Sequence, residues 1–129
     1  MTKFMNKEAA LHYFFSSFGI PAYEENTVPT GKDAPEFPYL TYSVVTGSLG
    51  EECALTVNLW YRSDSWTAVN AKAEEIGYTI GRSGKVVRCD GGAIWIKRGV
   101  PFAQSMGDPD DNLIRRKYMN ITAEYFTAD

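Results

Sequence analysis

Apolar residues recur along this chain with two different periods, and the changes of period mark its elements. Between residues 6 and 18, Leu11, Phe14, Phe15 and Phe18 come at steps of three and four, which predicts a helix with one apolar face. Gly19 offers the stop, and Pro21 prevents the helix from continuing. Residues 24–37 show no period and hold Pro29, Gly31 and Pro35 among acidic and polar neighbours. A long flexible loop is expected there, mobile in the free chain and ordered in an assembly, and loops of that length in compact domains are often functional.

After Pro38 the period becomes two. Leu40, Tyr42 and Val44 share one strand face, and Leu55, Val57, Leu59 and Tyr61 share a face of the next strand, joined through Gly47-Ser48-Leu49-Gly50 as a hairpin. Ser63, Asp64 and Ser65 then offer capping oxygens for a second helix. Its buried stripe is Trp66, Val69, Ala73, Ile76 and Ile80, and Gly81 and Gly84 end it. A short strand over residues 85–89 turns through Asp90-Gly91-Gly92 into a strand over 93–98. An irregular stretch, GVPFAQSMGDPDDN, precedes a last strand over 114–126, where Met119, Ile121, Ala123 and Tyr125 alternate with more polar positions. The expected fold is α+β in a single domain over residues 1–129. It is a mostly antiparallel sheet of about four to five strands, with two helices packed on one face. The other face must be solvated or covered by another copy.

Composition narrows the function classes. With 129 residues, 44% of them hydrophobic, the chain can bury one ordinary core without metal or disulfide support. A net charge of −3 leaves no basic footprint for nucleic acid, although DNA can pass close by without adhering. No run approaches the about eighteen apolar residues of a membrane span. MTKFMNKEAALHYFF lacks the pattern of a cleaved leader, so a chain made and kept in a cytoplasm is expected, with Cys53 and Cys89 reduced and unpaired. Two cysteines alone build neither a zinc site nor a disulfide framework.

Catalytic chemistry finds little support. His12 is the one histidine, and the first helix offers it no nucleophile and acid set, so a surface or boundary position is expected. Asp108, Asp110 and Asn112 open like a calcium loop, but Leu113 stands where that loop needs glycine and Met119 where it needs glutamate. Gly77, Gly81 and Gly84 follow a helix, not a strand, and form no dinucleotide fingerprint. Glu74 and Glu75 are adjacent on a helix and diverge by about 100°. No metal, no cofactor and no enzymatic activity are expected. Aromatic residues, however, exceed what two helix stripes and one sheet face require, at 14% of the chain. Trp60 falls on the strand face opposite Leu55, Val57 and Leu59, and Trp95 opposite Ile94 and Ile96, which suits anchors in protein–protein contacts or, alternatively, a small second core under the loops.

The helix ALHYFF, the strand FPYLTYSVVTG, the passage VNLWYRSDSW and above all IWIKRGVPFAQSMGDPDDNLIRRKYMNITAEYF resemble tail terminator proteins of long-tailed bacteriophages, also known as tail completion or minor capsid proteins. The resemblance runs from about residue 6 to 127 and is most distinctive over residues 99–108 and the basic last strand. It implies a structural virion protein, assembled in the host cytoplasm, that closes into a six-membered homo-oligomeric ring. The ring would cap the tail tube protein, end tail polymerisation and present a surface to the head connector or stopper protein, with DNA passing through the lumen unread. Head–tail joining proteins of the same particles are the alternative within that class, and a monomeric protein-binding module is the alternative outside it.

A ring needs a head-to-tail interface, in which one surface meets a different surface of the next copy. Asp108, Asp110 and Asp111 form an acidic turn, and Arg115, Arg116 and Lys117 a basic strand start, able to pair between subunits or within one. Val100, Phe102 and Met106, with Gln104 among them, lie on a proline-stiffened loop with no core periodicity and are expected to dock on a neighbour. The competing expectation is that Phe102 is core and that Arg116 pairs within its own chain.

Overall fold

The computed structural model describes residues 5–47 and 49–127. The first four residues of the leader reading and Ser48 of the expected turn therefore lie outside the described residues. Asn6 caps helix α1 (Lys7–Ser16), its side-chain oxygen accepting from the Ala9 amide at 2.8 Å, which satisfies one of the unpaired N–H groups of the first turn. Leu11, Phe14 and Phe15 form its buried face, as their spacing predicts. At its other end, Ser17 Oγ donates to Phe14 O, and Lys72 of the second helix donates to Phe18 O at 2.7 Å. A cation thus meets the carbonyl end of the helix, where its dipole is negative.

The strands are β1 (Ala22–Glu24), β2 (Tyr39–Tyr42), β3 (Glu52–Arg62), β4 (Lys85–Cys89), β5 (Gly92–Met106) and β6 (Ile114–Thr127), and helix α2 is Thr67–Ile80. They make one six-stranded sheet in the order β1-β2-β3-β6-β5-β4, with β1 parallel to β2 and every other pair antiparallel. The α+β class and the mostly antiparallel sheet agree with the sequence reading. Cys53, Leu55, Val57 and Leu59 of β3, Ile94 and Ile96 of β5, and Met119, Ile121, Ala123 and Tyr125 of β6 all point to one side. There they join the buried faces of α1 and α2 in a single core. α2 lies over β3, β5 and β6, whereas α1 touches β1 and β4, the two edge strands, so the sheet curls around it.

Three expectations need correction. The sheet has six strands, not four to five, because β1 spans only three residues, too few for a period to register. The stretch from residue 99 to 106 is not an irregular loop: β5 runs on to Met106, pairing with β6 from Ala103↔Met119 to Met106↔Arg116 after a bulge between Arg98 and Ala103. The bulge, which contains Pro101, breaks the alternation and hides the strand from a period count. Helix α2 begins one residue later than its stripe, with Trp66 at the cap position contributing no side-chain bond. Ser65 Oγ instead accepts from the Thr67 amide at 3.1 Å. Residues 25–38 contain a single 3-10 turn, Gly31–Asp33.

Cys53 and Cys89 are buried and free, and burial pushes both thiols up from their ordinary range. His12 is exposed, as expected, with Nδ1 3.0 Å from the Tyr42 hydroxyl. Among the described residues no helix is long and apolar enough to cross a membrane.

Candidate interaction surface

Strand alternation decides which candidate residues can act together. In β3 the even positions face away from the helices, and in β6 so do Arg116, Tyr118 and Asn120. Register then places Tyr39, Trp60, Arg116 and Met106 in one row across four strands, on the sheet face that no element covers. The row is continuous. Tyr39 stacks on Trp60 with ring centroids 6.1 Å apart and planes 14° from parallel. The Arg116 guanidinium sits 5.2 Å from the Trp60 ring, and its Nη2 donates to the Met106 sulfur at 2.9 Å. Tyr23 and Phe37 extend the row against Tyr39 at centroid distances of 6.2 and 5.5 Å. Trp60 Nε1 donates to Thr41 Oγ1 at 2.9 Å, which fixes the indole in the plane of the row.

Beside this row, Asn58 pairs in register with Tyr118, and Tyr118 with the exposed Gln104. Asn58 Oδ1 and Arg116 Nε are shielded from solvent and have no hydrogen-bond partner among the described residues, although such atoms normally do. At the far end of the same face Lys97 Nζ donates to Glu52 at 3.2 Å and to Glu124 at 3.3 Å. Lys97 also lies 4.2 Å from the Trp95 ring. Burial pulls the Lys97 ammonium down, but its bonds to the two carboxylates outweigh this and hold it above the usual lysine range. Trp95 is on the uncovered face, as its alternation predicts, but its Nε1 donates to Ser83 O at 2.8 Å and ties the β4 side of the sheet to the end of α2.

The basic strand start is not one patch. Arg115 and Lys117 point to the helix side and Arg116 to the uncovered side, since neighbours on a strand face opposite ways. Arg115 lies 5.3 Å from the Trp66 ring and donates to Asn112 O at 2.6 Å. Lys117 Nζ donates to Asn70 Oδ1 at 2.8 Å and Ser105 Oγ at 2.9 Å. The acidic turn is tied elsewhere: Asp111 Oδ2 accepts from Arg62 Nε at 2.9 Å, and Oδ1 from the Leu113 amide. Those two bonds, Arg62 first, hold the Asp111 carboxyl below its ordinary range. Arg62 at the end of β3 is the partner that sequence adjacency does not suggest. Asp108 Oδ1 accepts from the Asp110 amide at 2.8 Å, and neither of these acids forms an ion pair within the described residues.

Phe102 and Val100 part company at the bulge. Val100 is 98% exposed, whereas Phe102 is half-buried at the edge of the core, its ring so close to α2 that a Cβ on Gly77 would stand 2.9 Å from it. The ring forms part of the floor of an open groove of about 900 Å³ between α2 and the β5 bulge. Arg82, Arg98 and Lys117 also line it, with Glu74 the single acid among the described residues and Tyr78, 91% exposed, at its wall. Neither this groove nor the β5 bulge is signalled by periodicity. Both arise where a glycine on a helix meets a ring that a broken strand re-aims.

No protein-family model matches this chain, and no curated protein matches it either.

Proposed function

We propose that this chain is a structural assembly subunit, without enzymatic activity, that closes with copies of itself into a ring at the end of a bacteriophage tail tube. The observation that carries the reading is the uncovered sheet face. Six strands are covered on one side by two helices, and on the other side they present a stacked row, Tyr39, Trp60, Arg116 and Met106, with orphaned polar atoms at Asn58 and Arg116. Pre-ordered aromatic and arginine surface loses little entropy on docking and suits contact with another protein. The resemblance of residues 99–108 and the basic last strand to tail terminators supports the tail end as the place of the ring; in this reading the uncovered face meets the tail tube, and the head connector is the partner on the opposite rim. In this reading the protein belongs to the virion, and DNA passes the ring lumen without specific binding.

Negative-stain electron microscopy of the concentrated protein tests it. Six-membered rings with a central hole are expected, and single small particles at every concentration would sink the proposal. In particles carrying the protein, its recovery with isolated tails supports a terminator, whereas recovery with isolated heads assigns it to the head-side joining proteins.

A further inference from the structure

The groove between α2 and β5 has an excess of positive charge that the described residues leave unmatched. Arg82 and Arg98 are exposed and have no acid partner among the described residues, and Lys117 donates only to neutral oxygens of Asn70 and Ser105. Glu74 is the one acid on its lining among the described residues. The complementary feature lies elsewhere on the same subunit. The turn between β5 and β6 presents Asp108 and Asp110 without ion pairs among the described residues, on a backbone stiffened by Pro109. None of its residues lines the groove of its own subunit. The Arg62–Asp111 pair and the Ser63 amide bond to Leu113 O, both 2.9 Å, fasten the turn to the β3 side of β6, whereas the groove lies on the β5 side.

We infer that the groove of one subunit receives the Asp108-Pro109-Asp110 turn of the next copy. This rests on the ring reading above and names its subunit contact. A turn that enters a groove elsewhere on an identical molecule makes a heterologous contact, which closes into a ring or runs on as a filament. Opposite charges steer the approach and fix the register. The uncovered sheet face is then left free for the tail tube.

Two double variants test the contact by sedimentation velocity and negative stain. Arg82→Glu with Arg98→Glu reverses the groove, and Asp108→Lys with Asp110→Lys reverses the turn. Both pairs of positions lie outside the core, and unchanged melting curves check that each variant folds. Each variant alone is expected to self-associate about a hundredfold more weakly than wild type, because like charges then face each other. Mixed in equal amounts, the two restore both contacts and assemble into rings of alternating subunits, which an even-numbered ring permits. Wild-type-like assembly of either variant alone, or failure of the mixture, overturns the turn-in-groove contact and leaves the ring standing, with the groove open to an acidic segment of another protein. A wild-type chain that never self-associates instead removes the ring reading, and this contact with it.

Discussion

At the scale of single residues, two side chains show how position converts chemistry into stability. Tyr125 is fully buried, and its hydroxyl donates to Val45 O at 2.7 Å, holding the stretch between β2 and β3 to the end of β6. Burial, helped by nearby acidic groups, pushes its phenol up to about 12. The unfolded chain ionises first, so this stability is complete below about pH 10 and is lost as pH rises toward 12. Tyr125→Phe keeps the packing and drops the bond. We expect it to cost about 1 kcal/mol at neutral pH in denaturant titrations, with a flatter loss than wild type above pH 10. Phe102 makes a different point. Its half-buried ring lies against Gly77, so Phe102→Ala should lower stability by about 2 kcal/mol, less than for a fully buried ring. Gly77→Ala gains helix propensity but collides with the ring. In a double-mutant cycle it should therefore be more favourable by about 1 kcal/mol in the Phe102→Ala background than in wild type. Additive effects would show that the two do not touch. That Phe102 is apolar is plain from the sequence, but that it meets a helix glycine is not, because the bulge that aims it has no periodic signature.

At the scale of elements, α1, α2, β3 and β6 were legible because each has one buried face and enough residues to show it. Leu11, Phe14 and Phe15 announce a helix, and Met119, Ile121, Ala123 and Tyr125 announce a strand. β1 and the far half of β5 were not legible, for opposite reasons. β1 is too short, while residues 103–106 carry polar residues on both faces, Gln104 on the uncovered side and Ser105 on the helix side where it accepts from Lys117, beyond the Gly92 to Ile96 stretch that pairs with β4. The far half of β5 is thus an edge, with β6 on one side only. Amide exchange distinguishes it from a loop. Between Ala103 and Met106 the amides that point at β6 should be protected and the alternate ones, which face outward, should exchange quickly. Uniformly fast exchange over those four residues would return the segment to the irregular class. The candidate site divides in the same way. Trp60 was placed on the correct face by alternation alone, but its row with Tyr39, Arg116 and Met106 depends on which strands are neighbours, and no single strand's pattern carries that.

At the scale of the whole molecule, the charge of the uncovered face tests the proposed role. Arg116 is held by Trp60 and Met106 and forms no ion pair with a described residue, so its charge is available to a partner. Within the subunit, Arg116→Glu gives up a cation–π contact worth about 0.5–1 kcal/mol, which predicts only a small fall in melting temperature. In the proposed contact with the tail tube, the same change would reverse a charge at the centre of the row. Tail capping should therefore weaken strongly, and tails grown in cells making the variant should lose their uniform length. The loss should be larger at about 0.1 M salt than at about 1 M, since the screening length shrinks from about 10 Å to about 3 Å between them. Arg116→Gln, which removes charge without reversing it, should fall between wild type and the glutamate variant. Ring formation itself should persist in both, because the inferred subunit contact uses the groove and the acidic turn and not this face. Uniform tails and normal particle yield with Arg116→Glu would take the sheet face out of the tail contact. A fall in capping that merely follows a fall in melting temperature would make Arg116 a structural residue of its own subunit.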